Sequence, residues 1–160
     1  MKFRTRRFGA IDVDESRVIR MKGGVLGFEH LLTYTLLVQN QNNPLWWLQS
    51  LEDGDVAFVV VDPRVIQADY RPEIPKVALE FLEITREETL SLLSIVTIRS
   101  QPFRVTANLR APLAINVEQR VGGQIVLDDE QYQVRHEISP SVNVEAKAEE
   151  QEKSGKVSTV

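Results

Sequence analysis

The chain has 160 residues, enough for one domain with a substantial core, and its 42% hydrophobic and 26% charged residues are typical of a soluble globular protein. It contains no cysteine, which excludes disulfides, thiolate zinc sites and a cysteine nucleophile and predicts a reducing, cytoplasmic setting. The net charge of −4 argues against nucleic acid as a direct ligand, and no apolar run approaches the roughly 20 residues of a membrane-spanning helix.

Strand patterns dominate the first 61 residues. Apolar residues alternate with small or acidic ones over residues 8–13, and runs of strand-forming residues follow at 18–21, 34–38, 45–49 and 56–61. Glycines at 23, 24 and 27 and turn clusters at 39–44 and 52–55 separate these runs at hairpin spacing. This pattern predicts an antiparallel meander.

The middle of the chain interrupts the strand pattern. Residues 75–83 contain strong helix formers, and Val77, Phe81 and Ile84 recur at helical spacing, which predicts one short helix. Strand character returns at 90–98, 124–127 and 132–135. The sequence therefore predicts a mostly β protein: a small antiparallel β-barrel-like domain over residues 1–139 with one short helix, followed by a disordered tail over 140–160, where polar residues predominate.

Residues 105–117 have an unusual pattern. The odd positions are all apolar, as in a half-buried strand, while the even positions include Asn108, Arg110 and Asn116. Asparagine is depleted in strands, and Pro112 has no amide hydrogen, so we expect two short strands or one bent strand. The polar side chains either close turns or form a face that binds a protein, because an amide can pair with both groups of an extended peptide.

No catalytic or metal-binding pattern is present in the sequence. His30 and His136 are the only histidines and have no acidic residue at ligand spacing, so we predict no metal site and no cofactor. The glycines at 23–27 lack the Lys-Ser/Thr of a phosphate loop, and Ser50 lies outside any nucleophile motif. We therefore predict that the protein is not an enzyme.

Three aromatic residues have two interpretations each. Trp46 and Trp47 are adjacent, so in a strand they face opposite sides; one fills the core, and the other packs under a loop or anchors a partner. Phe28 closes the glycine loop or stays exposed. The candidate protein-binding residues are Phe28, Trp46, Trp47, Glu87, Glu88, Asn108, Arg110, Pro112 and Asn116. The two glutamates belong to an acidic segment, with Glu80 and Glu83, that would attract a basic partner.

Four motifs, in order along the chain, resemble the flagellar assembly factor family, FliW. They are GVLGF at 24–28, PLWWLQS at 44–50, VVDP at 60–63 and TANLRAPLAIN at 106–116, and residues 124–132 fit as well. The resemblance covers about residues 3–138 and implies a non-catalytic, β-barrel-like cytoplasmic protein.

The same resemblance implies two partners, flagellin and the translational repressor CsrA. Flagellin that accumulates would occupy the factor and free CsrA to block flagellin mRNA; secretion of flagellin would release the factor to restrain CsrA again. A different class stays open, a small β-barrel that binds a small molecule or a peptide in a pocket on the order of several hundred Å³. The sequence predicts neither the oligomeric state nor which face binds which partner.

Overall fold

A computed structural model of the chain describes residues 1–101, 103–138 and 158–160. The strands within these ranges are β1 Lys2–Thr5, β2 Gly9–Asp12, β3 Ile19–Met21, β4 Thr33–Val38, β5 Trp46–Ser50, β6 Ala57–Val61, β7 Leu90–Arg99, β8 Arg104–Ala107, β9 Leu113–Asn116, β10 Val121–Gln124, β11 His136–Glu137 and β12 Ser158–Thr159. The helices there are α1 Pro63–Ile66 and α2 Lys76–Phe81, with single 3-10 turns at Glu15–Arg17 and Glu87–Thr89.

The main sheet closes on itself. Its wall follows the order β7-β6-β5-β4-β3-β10-β9, and β9 then pairs with β7, so that seven strands of the described chain form a closed barrel. The neighbours are antiparallel except β3 and β10, which run parallel. Strands β8 and β11 extend the sheet beyond β7, and β1 pairs with β2 in a separate hairpin. The predicted mostly β, barrel-like fold is confirmed.

The helices differ in part from the prediction. The predicted helix is present as α2, but the described chain also contains α1, which the sequence pattern did not predict. Asp62 caps α1 by accepting a hydrogen bond from the Arg64 amide, and Pro63 occupies the first helical position. An Asp-Pro pair is a known signal for a helix start, but four residues are too few to show helical periodicity.

The ten-residue strand β7 closes the barrel by pairing with two strands along one edge. Its residues 90–93 pair with β9, and its residues 96–99 pair with β8. The five residues 108–112 between those two strands lie opposite only Ser94 and Ile95, so they bulge out of the sheet. Residues 105–117 thus form two short strands around a bend, which confirms that prediction. We call residues 108–112 the bend.

Among the described residues, the core consists of three clusters, and alternate residues along a strand belong to clusters on opposite faces of the sheet. The first lies inside the barrel and includes Ile19, Tyr34, Leu48 and Leu113. The second packs residues of the outer face of β6 to β8 against Tyr70, Leu127 and Tyr132 from the connecting segments. The third lies between the β1–β2 hairpin and the outer face of β4 and β5, and it includes Ile11, Val13, Leu37 and Trp47.

The predicted disordered tail lies mostly outside the described residues. Residues 139–157 are not described, whereas Ser158 and Thr159 form β12 and pair antiparallel with β4. The prediction of disorder is therefore wrong for residues 158–160, which find an open strand edge with which to pair. A run of three residues is too short to reveal a strand by periodicity. Within the described ranges, no helix has the length and apolarity needed to cross a bilayer.

Candidate protein-binding surface

Helix α2 exposes apolar side chains at the protein surface. Val77 is 77% exposed and Phe81 is 49% exposed, whereas the following residue, Leu82, is fully buried. The helix therefore attaches to the barrel through its C-terminal end, and Val77, further from that end, stays largely in solvent. Exposed large apolar groups that lie together on one helix face are typical of a protein-binding surface.

Barrel residues hold Phe81 in place from below. Lys22 Nζ lies 5.0 Å from the centroid of the Phe81 ring and donates a hydrogen bond of 2.7 Å to the Phe81 carbonyl. A Cβ placed on Gly123 would lie 3.9 Å from Phe81 Cε1 and 3.4 Å from Leu82 Cδ2, so both side chains pack directly on the backbone of β10. The ring is thus exposed on one side and fixed on the other, which lowers the entropic cost of using it as an anchor.

Asn116 holds the end of α2 against the barrel. Its Nδ2 donates to the carbonyls of Leu82 and Glu83, each at 3.0 Å, and its Oδ1 accepts from the amides of Glu118 and Gln119 at 3.2 and 3.1 Å. The residue is only 2% exposed. The even positions of residues 105–117 therefore do not share one solvent-facing surface. Asn116 is buried, and it influences the exposed side chains of α2 only by holding the end of that helix in place.

Four acidic side chains lie on α2 and on the segment that follows it. Glu80, Glu83, Glu87 and Glu88 are all exposed. Glu83 lies 3.4 Å from Lys22 Nζ, and Glu88 lies 3.5 Å from Arg86. Within residues 1–101 and 103–138, Glu80 and Glu87 form no ion pair, so their charges face solvent. We call Val77, Glu80, Phe81, Glu83, Glu87 and Glu88 the α2 surface.

An open cleft of about 1160 Å³ adjoins the α2 surface. Leu79 of α2 and both Glu87 and Glu88 line it, together with Arg64 and Arg71 on the opposite side. Its volume is compatible with the small-ligand alternative, which stays a prediction. Charges of both signs line the cleft. Glu87 and Glu88 belong both to the cleft and to the α2 surface, so the cleft extends that surface toward α1.

The bend is fixed by hydrogen bonds within the protein. Asn108 Oδ1 accepts from the Ala111 amide at 2.8 Å, and Arg110 Nε donates to the Leu127 carbonyl at 3.2 Å. Pro112 is buried, and its carbonyl accepts from the Ile125 amide at 2.9 Å. Asn108 and Arg110 are half-buried. The structure thus supports turn closure for Asn108, one of the two interpretations that the sequence allows.

A buried tyrosine supports the bend from below and also lines the cleft. Tyr70 donates through its hydroxyl to the Leu109 carbonyl at 2.7 Å, and its ring packs edge-on against Tyr132 at 4.8 Å. Burial raises the pKa of Tyr70, and the nearby Tyr132 raises it further, so the hydroxyl stays protonated and remains a donor.

The tryptophan pair has both rings covered to a large extent. Trp47 is 5% exposed and lies under the N-terminal hairpin, with Phe8 at 5.5 Å edge-on and the Arg7 guanidinium 4.7 Å from its ring centroid. Trp46 is half-buried and packs against the cluster inside the barrel. Trp46 is thus the more exposed of the two, and each ring faces a different part of the core.

Phe28 closes the glycine loop. Its ring packs edge-on against Phe58 at 5.1 Å, and its amide donates to the Val25 carbonyl at 2.7 Å. Gly24 has a φ of +68°, and a Cβ there would lie 2.8 Å from the Phe28 carbonyl oxygen, so the loop requires glycine at this position. Phe28 is half-buried and contributes more to the loop than to the outer surface.

The structure therefore separates the predicted site residues. Glu87 and Glu88 lie on the α2 surface, whereas Phe28, Trp46 and Trp47 pack against core clusters and Asn108, Arg110 and Pro112 form the bend. Val77 and Phe81 were not among the predicted binding residues. Their spacing of four places them on one helix face, but the sequence does not show whether that face meets the barrel or solvent.

The family model described as FliW protein matches residues 2–138 of this chain. The chain is 48% identical over 138 residues to the flagellar assembly factor FliW of Syntrophus aciditrophicus, a match that covers 86% of this chain and 87% of that protein. It is 39% identical to the flagellar assembly factor FliW of Thermosipho africanus, covering 87% and 96% of the two chains.

A solved structure is also similar. It is described as the crystal structure of the flagellar assembly factor FliW, and it superposes on this chain with a TM-score of 0.79 at 31% sequence identity. The match covers 88% of this chain and 99% of that one. The similarity in sequence and the similarity in fold thus extend over the same barrel.

Proposed function

Because this chain belongs to the FliW family of flagellar assembly factors, we propose that it binds flagellin and the translational regulator CsrA and so couples flagellin synthesis to flagellin secretion. The protein acts in the cytoplasm by binding and without catalysis. Flagellin that accumulates displaces CsrA from the factor, and CsrA then represses flagellin translation.

The α2 surface supports this proposal, and its exposed Phe81 ring is the observation that carries it. Interfaces commonly place an aromatic anchor at the centre and charged groups around it. Phe81 and Val77 form such a centre. Glu80 and Glu83 lie close to Phe81 in the chain, and Glu87 and Glu88 follow in the same acidic segment. A regulator that binds RNA carries a basic surface, which the negative charge of this segment attracts and orients during encounter.

A partner switch requires that the two ligands weaken each other's binding. Overlapping footprints on the α2 surface and the adjoining cleft produce this effect without any change of conformation. The coupling free energy between two such sites is typically about 1–3 kcal/mol, or about 5- to 150-fold in affinity. Saturating flagellin should therefore weaken CsrA binding within that range, and CsrA should weaken flagellin binding by the same factor.

The test measures association of the purified protein with CsrA and with flagellin. The double substitution Glu87→Lys with Glu88→Lys should slow association with CsrA about tenfold at low salt, and the difference should shrink as salt screens the charges. The matched control is Asp128→Lys with Glu130→Lys, which makes the same change of net charge at exposed residues elsewhere on the surface.

Two results would overturn parts of the proposal. Equal association rates for the two double variants would show that net charge, and not the α2 surface, governs encounter with CsrA. If the unaltered protein bound neither flagellin nor CsrA at micromolar concentration, the partner switch itself would be wrong.

A further inference from the structure

Strand β4 has an edge that the barrel leaves partly unpaired. On one side β4 pairs with β5 over residues 34–37, but on the other side β3 reaches only Thr33 and Tyr34. The last residues of the sequence fill the remaining edge: Ser158 lies opposite Val38, and Thr159 lies opposite Leu37. The Val160 amide then donates to the Leu36 carbonyl at 3.0 Å. Strand β12 thus continues the line of β3 along β4.

Side-chain contacts add to this backbone pairing. Val160 lies opposite Leu36, and its side chain packs against the cluster inside the barrel to which Leu36 belongs. Arg120 Nη2 donates to the main-chain oxygen of Val160 at 2.9 Å and to the Arg17 carbonyl at 2.8 Å. The Nε atom of Arg120 is buried and has no hydrogen-bond partner among the described residues. The location therefore offers an open backbone edge, an apolar contact and an arginine donor to one extended strand.

The strand that fills this edge lies outside the part of the chain shared with the family. The family model matches residues 2–138, and β12 follows 20 residues after that match ends, at residue 158. The edge of β4 belongs to the shared barrel, whereas its occupant comes from a separate segment of the chain.

We infer that residues 36–38 of β4 and Arg120 form a strand-acceptor site, and that residues 158–160 of this same chain occupy it as a displaceable guard. An unpaired strand edge is a template for pairing with another polypeptide, and proteins commonly cover such edges. Strand addition obtains affinity from the backbone and selectivity from alternate side chains. The site therefore takes an extended segment with a β-branched residue at the position of Val160.

The test uses the guard itself as the probe, supplied as a synthetic peptide with the sequence of residues 154–160. The peptide is titrated into isotope-labelled protein that lacks residues 158–160, and binding is followed through the amide signals of residues 36–38. We expect saturable shifts there. In the full-length protein the tethered guard competes at an effective concentration on the order of millimolar, so the peptide should bind at least about fivefold more weakly.

Two peptides that differ in one methyl position provide the matched control. Methylation of the Val160 amide nitrogen removes the donor to Leu36 and should weaken binding to the truncated protein about tenfold. Methylation of the Thr159 nitrogen should change binding less than twofold, because alternate residues of an antiparallel strand point their amides away from the partner. The full-length variant Val160→Asp, which places a charge against the apolar cluster, should bind the unmodified peptide as the truncated protein does.

The inference is wrong if the truncated protein does not bind the peptide, or if truncated and full-length proteins bind it equally well. It is also wrong if the two methylated peptides bind alike. If truncation unfolds the barrel, the Val160→Asp variant takes the place of the truncated protein, and its peptide affinity is compared with that of the full-length protein. Neither flagellin nor CsrA takes part in this test, so its failure would leave the proposed function unaffected.

Discussion

The α2 surface and the bend both consist of polar residues next to apolar ones, but they use their polar atoms differently. In the bend, Asn108 and Arg110 form hydrogen bonds to the backbone of their own protein, and Pro112 is buried. On the α2 surface, Glu80 and Glu87 keep their carboxylates in solvent, and the ring of Phe81 is exposed as well. Polar residues within an apolar pattern therefore form a structural turn in one region and the proposed binding surface in the other.

The difference follows from where backbone groups need partners. The bend leaves the β7 ladder, so its amides and carbonyls lose their strand partners and side chains such as Asn108 replace some of them. At the end of α2 the carbonyls of Phe81, Leu82 and Glu83 accept from Lys22 and Asn116, so this backbone does not need the Glu80 side chain as a partner. A side chain is available to a partner protein when the local backbone does not require it.

The largest expected effect concerns Asn116, which holds the end of α2 against the barrel. Asn116→Ala should leave the carbonyls of Leu82 and Glu83 and the amides of Glu118 and Gln119 without this partner and lower the free energy of unfolding by about 2–3 kcal/mol. Urea denaturation would measure it. Asn108→Ala, which removes one hydrogen bond to Ala111, is the control and should cost about 1 kcal/mol. Equal losses would remove the structural distinction between these two asparagines.

The second effect is on binding. Phe81→Ala should weaken binding of the partner that uses the α2 surface by about 2 kcal/mol, or about 30-fold, because the substitution removes the central aromatic anchor. Calorimetric titration with CsrA and with flagellin would measure the change. Phe103→Ala is the matched control, since Phe103 is 42% exposed on the turn between β7 and β8. If both variants bind as the unaltered protein does, the α2 surface is not the interface.

The smallest expected effect compares two exposed glutamates, Glu52, whose carboxylate accepts hydrogen bonds from the backbone, and Glu87, whose carboxylate accepts none from the described part of the chain. Glu52 is exposed like Glu87, but its carboxylate accepts hydrogen bonds from the amides of Leu32 and Thr33, and these bonds lower the pKa of Glu52. Glu52→Gln should therefore lower the free energy of unfolding at pH 7 by about 0.5–1 kcal/mol, whereas Glu87→Gln should leave it unchanged.

The pH dependence of the Glu52 effect has a definite sign. A folded-state pKa below the unfolded value means that the ionised carboxylate stabilises the protein above the unfolded pKa, and that this contribution is lost as the pH falls through the folded pKa. Thermal unfolding of the Glu52→Gln and unaltered proteins, measured from pH 7 downward, should therefore converge in acid. A constant difference at all pH values would show that the two hydrogen bonds do not depend on the charge.

Alternation along the strands was enough to predict a mostly β fold and which side of each strand faces a core. Tyr34, Leu36 and Leu48 point inward and Leu37 and Trp47 outward, as a period of two requires. The break at Pro112 was predictable for the same reason, since proline cannot donate to the ladder. Closure of the sheet was not predictable, because it depends on which distant strands meet, and residues 90–93 and 113–116 carry no sequence signal that they pair with each other.

The exposed features of the proposed binding surface were predictable only in part. A cluster of carboxylates is visible in the sequence, and Glu87 and Glu88 are exposed as expected. The exposure of Phe81 was not predictable from the sequence, because an apolar residue at helical spacing gives the same sequence pattern whether its helix face packs on a core or meets solvent. Asn116 could not be assigned either, since its partners Leu82 and Glu83 lie more than 30 residues away in the chain.

The parallel pair of β3 and β10 makes the barrel uneven in its resistance to opening. This seam consists of two residue pairs, Arg20 with Val121 and Met21 with Gly122, and the amides of Arg20 and Lys22 donate across it. Between β4 and β5, in contrast, four pairs hold the register. Strand β3 also has only two pairs with β4. We therefore expect fluctuations that admit water and exchange amide hydrogens to begin on either side of β3, while β4 and β5 stay paired.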